Sequence, residues 1–211
     1  GEQLVAASGL YRLLGRLWLR EVDARVLTEL QTAPLCDHYT QAGGWLPDRQ
    51  IDQQRLLEDL AAEYCRLFVG PAQHSPPYQS VWTHGQFQSD TAVQMGDFFD
   101  LLNYQQTHVD EVMNDHLGIQ LDFMAHLYEQ MAIADGDSEE SATLKEIATQ
   151  FLARHLCWPS PLFGKLLRRA EQPFYAALIH LTGDFLASER AQWPIAIESP
   201  RLPSALLTIS K

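Results

Sequence analysis

Apolar residues recur along most of this chain at spacings of three and four, which is the period of a helix with one buried face. Leu4, Ala7, Leu10, Leu14 and Leu17 make the first such face. Gly9 and Gly15 interrupt it, each costing about 1 kcal/mol against Ala; their small size would let another helix approach closely. Asp23 is placed to cap a second helix that ends before Pro34. A third runs from about Asp52 to Phe68, with Leu56, Leu57, Leu60, Tyr64, Leu67 and Phe68 as its stripe, and Gly70-Pro71 stops it. Further helices are expected from Asp90 to Tyr104 and then after a cap at Asn114 or Asp115, where Leu117, Leu121, Met124, Tyr128 and Met131 form a stripe. The polar turn 134–141 leads into a helix with Leu144, Ile147, Phe151 and Leu152 inward. Trp158-Pro159-Ser160-Pro161 breaks that helix, with Ser160 as the next cap and Pro161 at the first helical position. Pro173 opens a last helix with Phe174, Leu178, Leu181 and Phe185 inward. No six-residue stretch alternates cleanly with β-branched residues, and no internal repeat is visible. The pattern predicts an all-α fold: one helical bundle of about seven to ten helices over 1–195, with an extended proline-containing tail over 196–211.

Between the third helix and the next lies a polar stretch, 70–86, long for a connection in a helical bundle. It carries Pro76, Pro77, Tyr78 and Trp82, more aromatic surface than a disordered linker holds, and is expected to be an ordered loop packed across the helices. Proline-stiffened rings present area at low entropic cost and can bind a peptide. They can equally plug the core beneath the loop, and the residues alone favour the plug.

Charge narrows the partners. The net charge is −12, from 27 acidic and 15 basic side chains. Such a chain repels nucleic acid and anionic lipid and favours a basic peptide or protein face. Cys36, Cys65 and Cys157 are an odd, dispersed set and predict reduced, buried thiols of a cytosolic protein, not a disulfide framework. No uninterrupted run of about 18 apolar residues offers a membrane span. Residues 3–19 are broken by Arg12 and Arg16, so they read as an amphipathic helix instead of a signal peptide.

Catalytic signatures are missing: the sequence has no phosphate-cradling glycine loop, no H-E-x-x-H, no Cys-x-x-Cys and no G-x-S-x-G. Asp122 and His126 stand four apart on a helix, but two ligands are too few for a metal. The expectation is a binding protein with no catalytic residue, cofactor or metal. Asp115-His116 remains open: an Asp there is ordinarily a helix cap, and the alternative is a carboxylate and imidazole facing a pocket for a cationic guest. The residues alone favour the cap.

Taken together, Glu63, Leu67-Phe68, Gly70-Pro71, Pro76-Pro77-Tyr78-Gln79-Ser80, then Asp115-His116 followed by Leu121 and Met124, resemble the TorD/DmsD/NarJ family of chaperones for molybdenum-containing respiratory enzymes. The style continues in His155-Leu156, Trp158-Pro159 and Glu171-Gln172-Pro173-Phe174-Tyr175, so the likeness covers about 55–195; Ser75 to Trp82 looks most like the DmsD branch. Two positions depart from the pattern. Gln79 follows the loop tyrosine where the family often has Glu, and Gln120 replaces a Glu commonly found after the Asp-His pair. The resemblance implies a cytoplasmic chaperone that binds the twin-arginine leader, and also the body, of the apo form of a molybdopterin-dependent, DMSO reductase-like catalytic subunit. It would assist cofactor insertion and delay export until folding is complete. The implied peptide site comprises Tyr64, Leu67, Phe68, Pro77, Tyr78, Ser80, Trp82, Asp115 and His116, with Asp115 pairing a leader arginine. The alternatives are a maturation factor that binds GTP weakly and an adaptor that grips the folded enzyme without reading its leader.

Overall fold

The computed structural model describes residues 1–32, 35–41, 52–70, 73–87, 89–106, 112–134, 136 and 138–193. The expected tail over 196–211 lies outside these residues. Among them the fold is all-α, with ten α-helices: α1 (Glu2–Leu19), α2 (Ala24–Leu30), α3 (Leu35–Gln41), α4 (Gln53–Tyr64), α5 (Gln79–His84), α6 (Ser89–Leu101), α7 (Leu117–Ile133), α8 (Glu139–His155), α9 (Ser160–Leu167) and α10 (Pro173–Gln192). A π-helical turn, Cys65–Val69, extends α4.

α7 is the axis of the molecule. Its sequence is apolar on nearly every side, and Leu117, Ile119, Leu121, Phe123, Met124, Ala125, Leu127, Tyr128 and Met131 are all buried. The stripe expected there is one face of a helix wrapped all round, as a central helix must be. α1 lies against it in the opposite direction: Ser8 and Arg12 reach Glu129, Arg12 also reaches Asp122, and Gly15 meets Gly118. At that crossing a Cβ on Gly15 would sit 2.9 Å from the Gly118 carbonyl, and one on Gly118 would sit 2.8 Å from the Gly15 carbonyl. Close approach therefore requires both glycines. Gly9 has open space around it and plays no such part.

α10 closes the other side through paired polar atoms. Trp18 Nε1 donates to Thr182 Oγ1 at 2.9 Å, Tyr175 OH to the Leu60 carbonyl at 2.9 Å, and Tyr11 OH to Glu189 at 3.1 Å. Glu189 is buried and also accepts from Tyr128; burial raises its pKa, and the two tyrosine hydroxyls only partly counter this. Glu63, buried too, accepts the Glu171 and Gln172 amides at the entrance to α10.

Local signals fix most boundaries. Asp23 accepts from Val26 N–H and caps α2, and Asp52 does the same for α4 through Gln54 and Arg55. α6 ends at Leu101, three residues earlier than expected, because Asn103 takes a left-handed conformation (φ 50°) and folds the chain back. α9 starts at Ser160 with Pro159 in the cap position, one residue ahead of expectation. Leu181 and Phe185 are half-buried flank residues of the core. The three free thiols differ from expectation in burial: Cys65 and Cys157 are exposed and Cys36 is half-buried. Cys65 opens the π turn on its solvent side, while Leu67 and Phe68 take the inward positions.

Candidate functional site

The stretch after the π turn is where both halves of the sequence pattern meet. Residues 75–87 form a strap laid over the N-terminal end of α7. The Ser75 amide donates to the Leu67 carbonyl at 2.7 Å and anchors the strap to the π turn. Pro77 offers its carbonyl to the Leu117 amide at 2.8 Å, Tyr78 and His116 form an isolated antiparallel bridge, and the Gln79 amide reaches the Asp115 carbonyl at 2.9 Å. The two segments, distant in sequence, are thus zipped together by backbone hydrogen bonds.

The strap is not wholly a loop. Gln79–His84 is a helix, α5, too short for periodicity to reveal. Its N-terminus is capped from across the fold: Asp115 Oδ2 accepts the buried Ser80 N–H at 3.0 Å. Gly85, at φ 78°, ends it in the left-handed conformation that only glycine takes without cost. Neither Asn114 nor Asp115 caps α7. His116 does, its Nδ1 accepting from Gly118 N–H at 3.0 Å, while Asn114 donates to the Ala92 carbonyl. The sequence marks a capping carboxylate correctly but cannot show which helix it caps.

The proposed site residues divide sharply by exposure. Leu67 is 0 %, Phe68 3 % and Tyr64 7 % exposed; they are core, packed against Trp18 and Tyr175, and form no open groove wall. Pro77 and Ser80 are buried as well. Asp115 and His116 sit behind the strap, at 0 % and 4 % exposure. Tyr78 and Trp82 remain half-buried. Around them stand two residues that pattern reading missed. Phe87, 56 % exposed, meets Tyr78 edge-on with ring centroids 5.2 Å apart, and Lys165 of α9 lies 5.5 Å over the Trp82 ring. Phe87 was legible as an apolar residue stranded in a polar loop; nothing local marks Lys165.

Trp82 is held by its indole N–H on the Pro76 carbonyl at 2.8 Å, and Tyr78 by an edge contact with the His116 ring at 4.8 Å. Burial holds the His116 imidazole down to about 3, so it is neutral at physiological pH, as its acceptor role at Gly118 requires. Burial and the Asp115 charge push the Tyr78 phenol up. Three buried oxygens, Asp115 Oδ1, Ser80 Oγ and Ser75 Oγ, have no protein partner. Asp122 and His126 have separate partners: Asp122 binds Arg12 and Tyr104, and His126 approaches the Leu102 carbonyl. Among the described residues no group of three metal-ligating side chains exists.

Residues 24–163 match the model of the nitrate reductase delta subunit family, a span that contains both zipped segments. The chain belongs to the TorD/NarJ family. Among TorD-family relatives, the chaperone protein TorD of Vibrio cholerae (classical Ogawa strain) is 33% identical over 162 residues, 72% of this chain and 69% of that protein. The chaperone protein YcdY of Escherichia coli K12 is 26% identical over 188 residues, 85% and 91% of the two chains. A solved redox enzyme maturation protein from Archaeoglobus fulgidus has the same fold, with a TM-score of 0.57 at 17% identity over 85% of this chain and 93% of its own. TorD-family membership makes the chain a maturation chaperone of the molybdoenzyme class.

Proposed function

We propose that the solvent face of the strap, formed by Tyr78, Trp82 and Phe87, receives the twin-arginine leader of a molybdenum-containing oxidoreductase. The observation that carries this reading is the Tyr78–His116 bridge, which joins the two segments of the family resemblance into one ring-lined surface. A leader is a basic stretch followed by an apolar one. The net charge of −12 steers the basic stretch in, and the exposed rings cover the apolar stretch, each at low entropic cost. Asp115, His116, Leu67, Phe68 and Tyr64 act from behind by holding those rings in place. Binding occurs in the cytoplasm, before export, and keeps the apo catalytic subunit back while its molybdopterin cofactor is inserted. Among the described residues no helix is long and apolar enough to cross a membrane. Assignment to the DmsD branch, suggested by Ser75 to Trp82, is part of the same proposal.

The test is a titration of the protein with a synthetic leader containing two arginines and the apolar stretch, against a scrambled control. Truncating an aromatic anchor of a binding surface costs about 2 kcal/mol or more, roughly 30-fold in affinity. Trp82→Ala and Phe87→Ala are each expected to weaken binding by about tenfold or more with helicity unchanged. Equal binding by the two variants and the original protein, or equal binding of the scrambled peptide, overturns the assignment.

A further inference from the structure

Gln79 and Gln120, the two positions where glutamine replaces the glutamate common in the resembled family, touch each other inside the protein. Both are buried, Gln79 at 8 % and Gln120 at 0 % exposure. Gln120 Nε2 donates to Gln79 Oε1 at 2.8 Å and approaches Met95 Sδ at 3.4 Å. Gln79 Oε1 also accepts from His155 Nδ1 at 3.0 Å, and Gln79 Nε2 donates to the Arg154 carbonyl at 2.9 Å. Gln120 Oε1 accepts the Trp158 indole N–H at 2.9 Å.

The orientation of this network is forced. A carbonyl can only accept and an indole N–H can only donate. With Arg154 at one end and Trp158 at the other, each amide has one possible direction, and His155 must carry its proton on Nδ1. The line of donors runs from Trp158 through Gln120 and Gln79 to Arg154, with His155 Nδ1 donating into Gln79 from the side and the Trp158 N–H shared with the His155 carbonyl at 2.9 Å. A carboxylate at position 79 would set an oxygen against the Arg154 carbonyl. One at position 120 would set an oxygen against Gln79 Oε1. Either contact demands an added proton. What look in the sequence like two separate losses of an acidic partner are one matched amide pair.

We propose that Gln79 and Gln120 form a latch of two non-titrating amides that seats the strap on α7 and on the end of α8, making Gln79 a positioning residue for the Tyr78–Trp82 face. The positioning half rests on the peptide-binding reading above; the latch itself does not. The titratable groups around Gln79 are few. From α8 come His155 and the Arg154 side chain, from the segment before α7 come Asp115 and His116, and on the strap itself is Tyr78. Met95, the contact from α6, adds no charge. Burial, aided by Arg154, holds His155 to about 4, so between pH 5.5 and 8 the closed latch neither gains nor loses a proton.

The experiment is amide exchange at Leu117, whose N–H is bonded to the strap at Pro77, corrected for intrinsic exchange at pH 5.5 and 8, with leader affinity measured on the same samples. The original protein is the reference at each pH, because His116 and His155, held low in the closed protein, take up protons below about 6.5 once the strap opens and raise its own opening at pH 5.5. Gln79→Glu, compared with the original protein at the same pH, should be closer to it at pH 5.5, where the buried carboxyl holds its proton in the closed state. At pH 8 it should open at least about tenfold more often, the change that one unit of pKa shift produces, and its leader affinity relative to the original protein should fall in parallel. Gln79→Met, neutral and similar in size, should loosen the strap equally at both pH values. Unchanged Leu117 protection in both variants overturns the latch. Lost protection with unchanged leader affinity overturns the positioning role alone. If the original protein binds no leader, the peptide reading fails while the exchange result still decides the latch.

Discussion

Asp115 is where stability and recognition can be separated, because its two oxygens do different things. Oδ2 caps α5 by accepting the Ser80 N–H at 3.0 Å, and Oδ1 has no protein partner although the residue is fully buried. Asp115→Ala removes the cap and leaves the Ser80 amide orphaned inside the protein. Loss of a helix cap costs about 1 kcal/mol, and an unsatisfied buried donor about 1–3 kcal/mol. These overlap, so the expected loss is about 2–3 kcal/mol. For a chain of this size that lowers Tm by about 4–12 °C. Asp115→Asn keeps an acceptor oxygen for Ser80 and is expected to cost under about 1 kcal/mol. Urea unfolding of the three proteins, with leader titration alongside, gives the comparison. If the carboxylate acts only through the strap, Asp115→Asn binds leader within about threefold of the original protein. A stable Asp115→Asn protein that has lost its leader affinity would refute the supporting role and assign the charge to a leader arginine. Asp115→Ala with unchanged stability would refute the cap.

Other consequences are equally open to measurement. Gly118→Ala should destabilise by about 1–3 kcal/mol through overpacking, since the new Cβ meets Leu19 and the Gly15 carbonyl at the α1–α7 crossing. Gly9→Ala, with open space around it, should stabilise by up to about 1 kcal/mol; thermal melts that reverse this order would count against the crossing. His116 is held to about 3 in the fold, whereas a free imidazole titrates near 6.5. The unfolded chain therefore binds this proton first, and stability should fall as pH drops from about 6.5 toward 3, by up to about 1.4 kcal/mol per unit from this residue. His116→Asn keeps a capping side chain and removes the titration, so a plot of Tm against pH should flatten over that range. An unchanged slope would mean that His116 does not carry it.

Long helices were legible from the sequence because their information is local. A stripe such as Leu144, Ile147, Phe151 and Leu152 needs only a 3.6-residue period to declare its face, and all four are buried in α8. The cap at Asp23 acts on an amide three residues away and was legible for the same reason. The family could be read too, since order and spacing of short segments survive in one dimension. Only the tertiary structure showed that Asp115 caps α5 from 35 residues away, that Gln79 and Gln120 are partners 41 residues apart, and that Leu67 and Phe68 are core while Phe87 is surface. A stripe marks which residues avoid water, but whether a neighbouring element covers them depends on how the other helices pack. A hydrogen bond between distant segments leaves no period in either of them, so the strap and the amide pair beneath it exist only once the chain has folded.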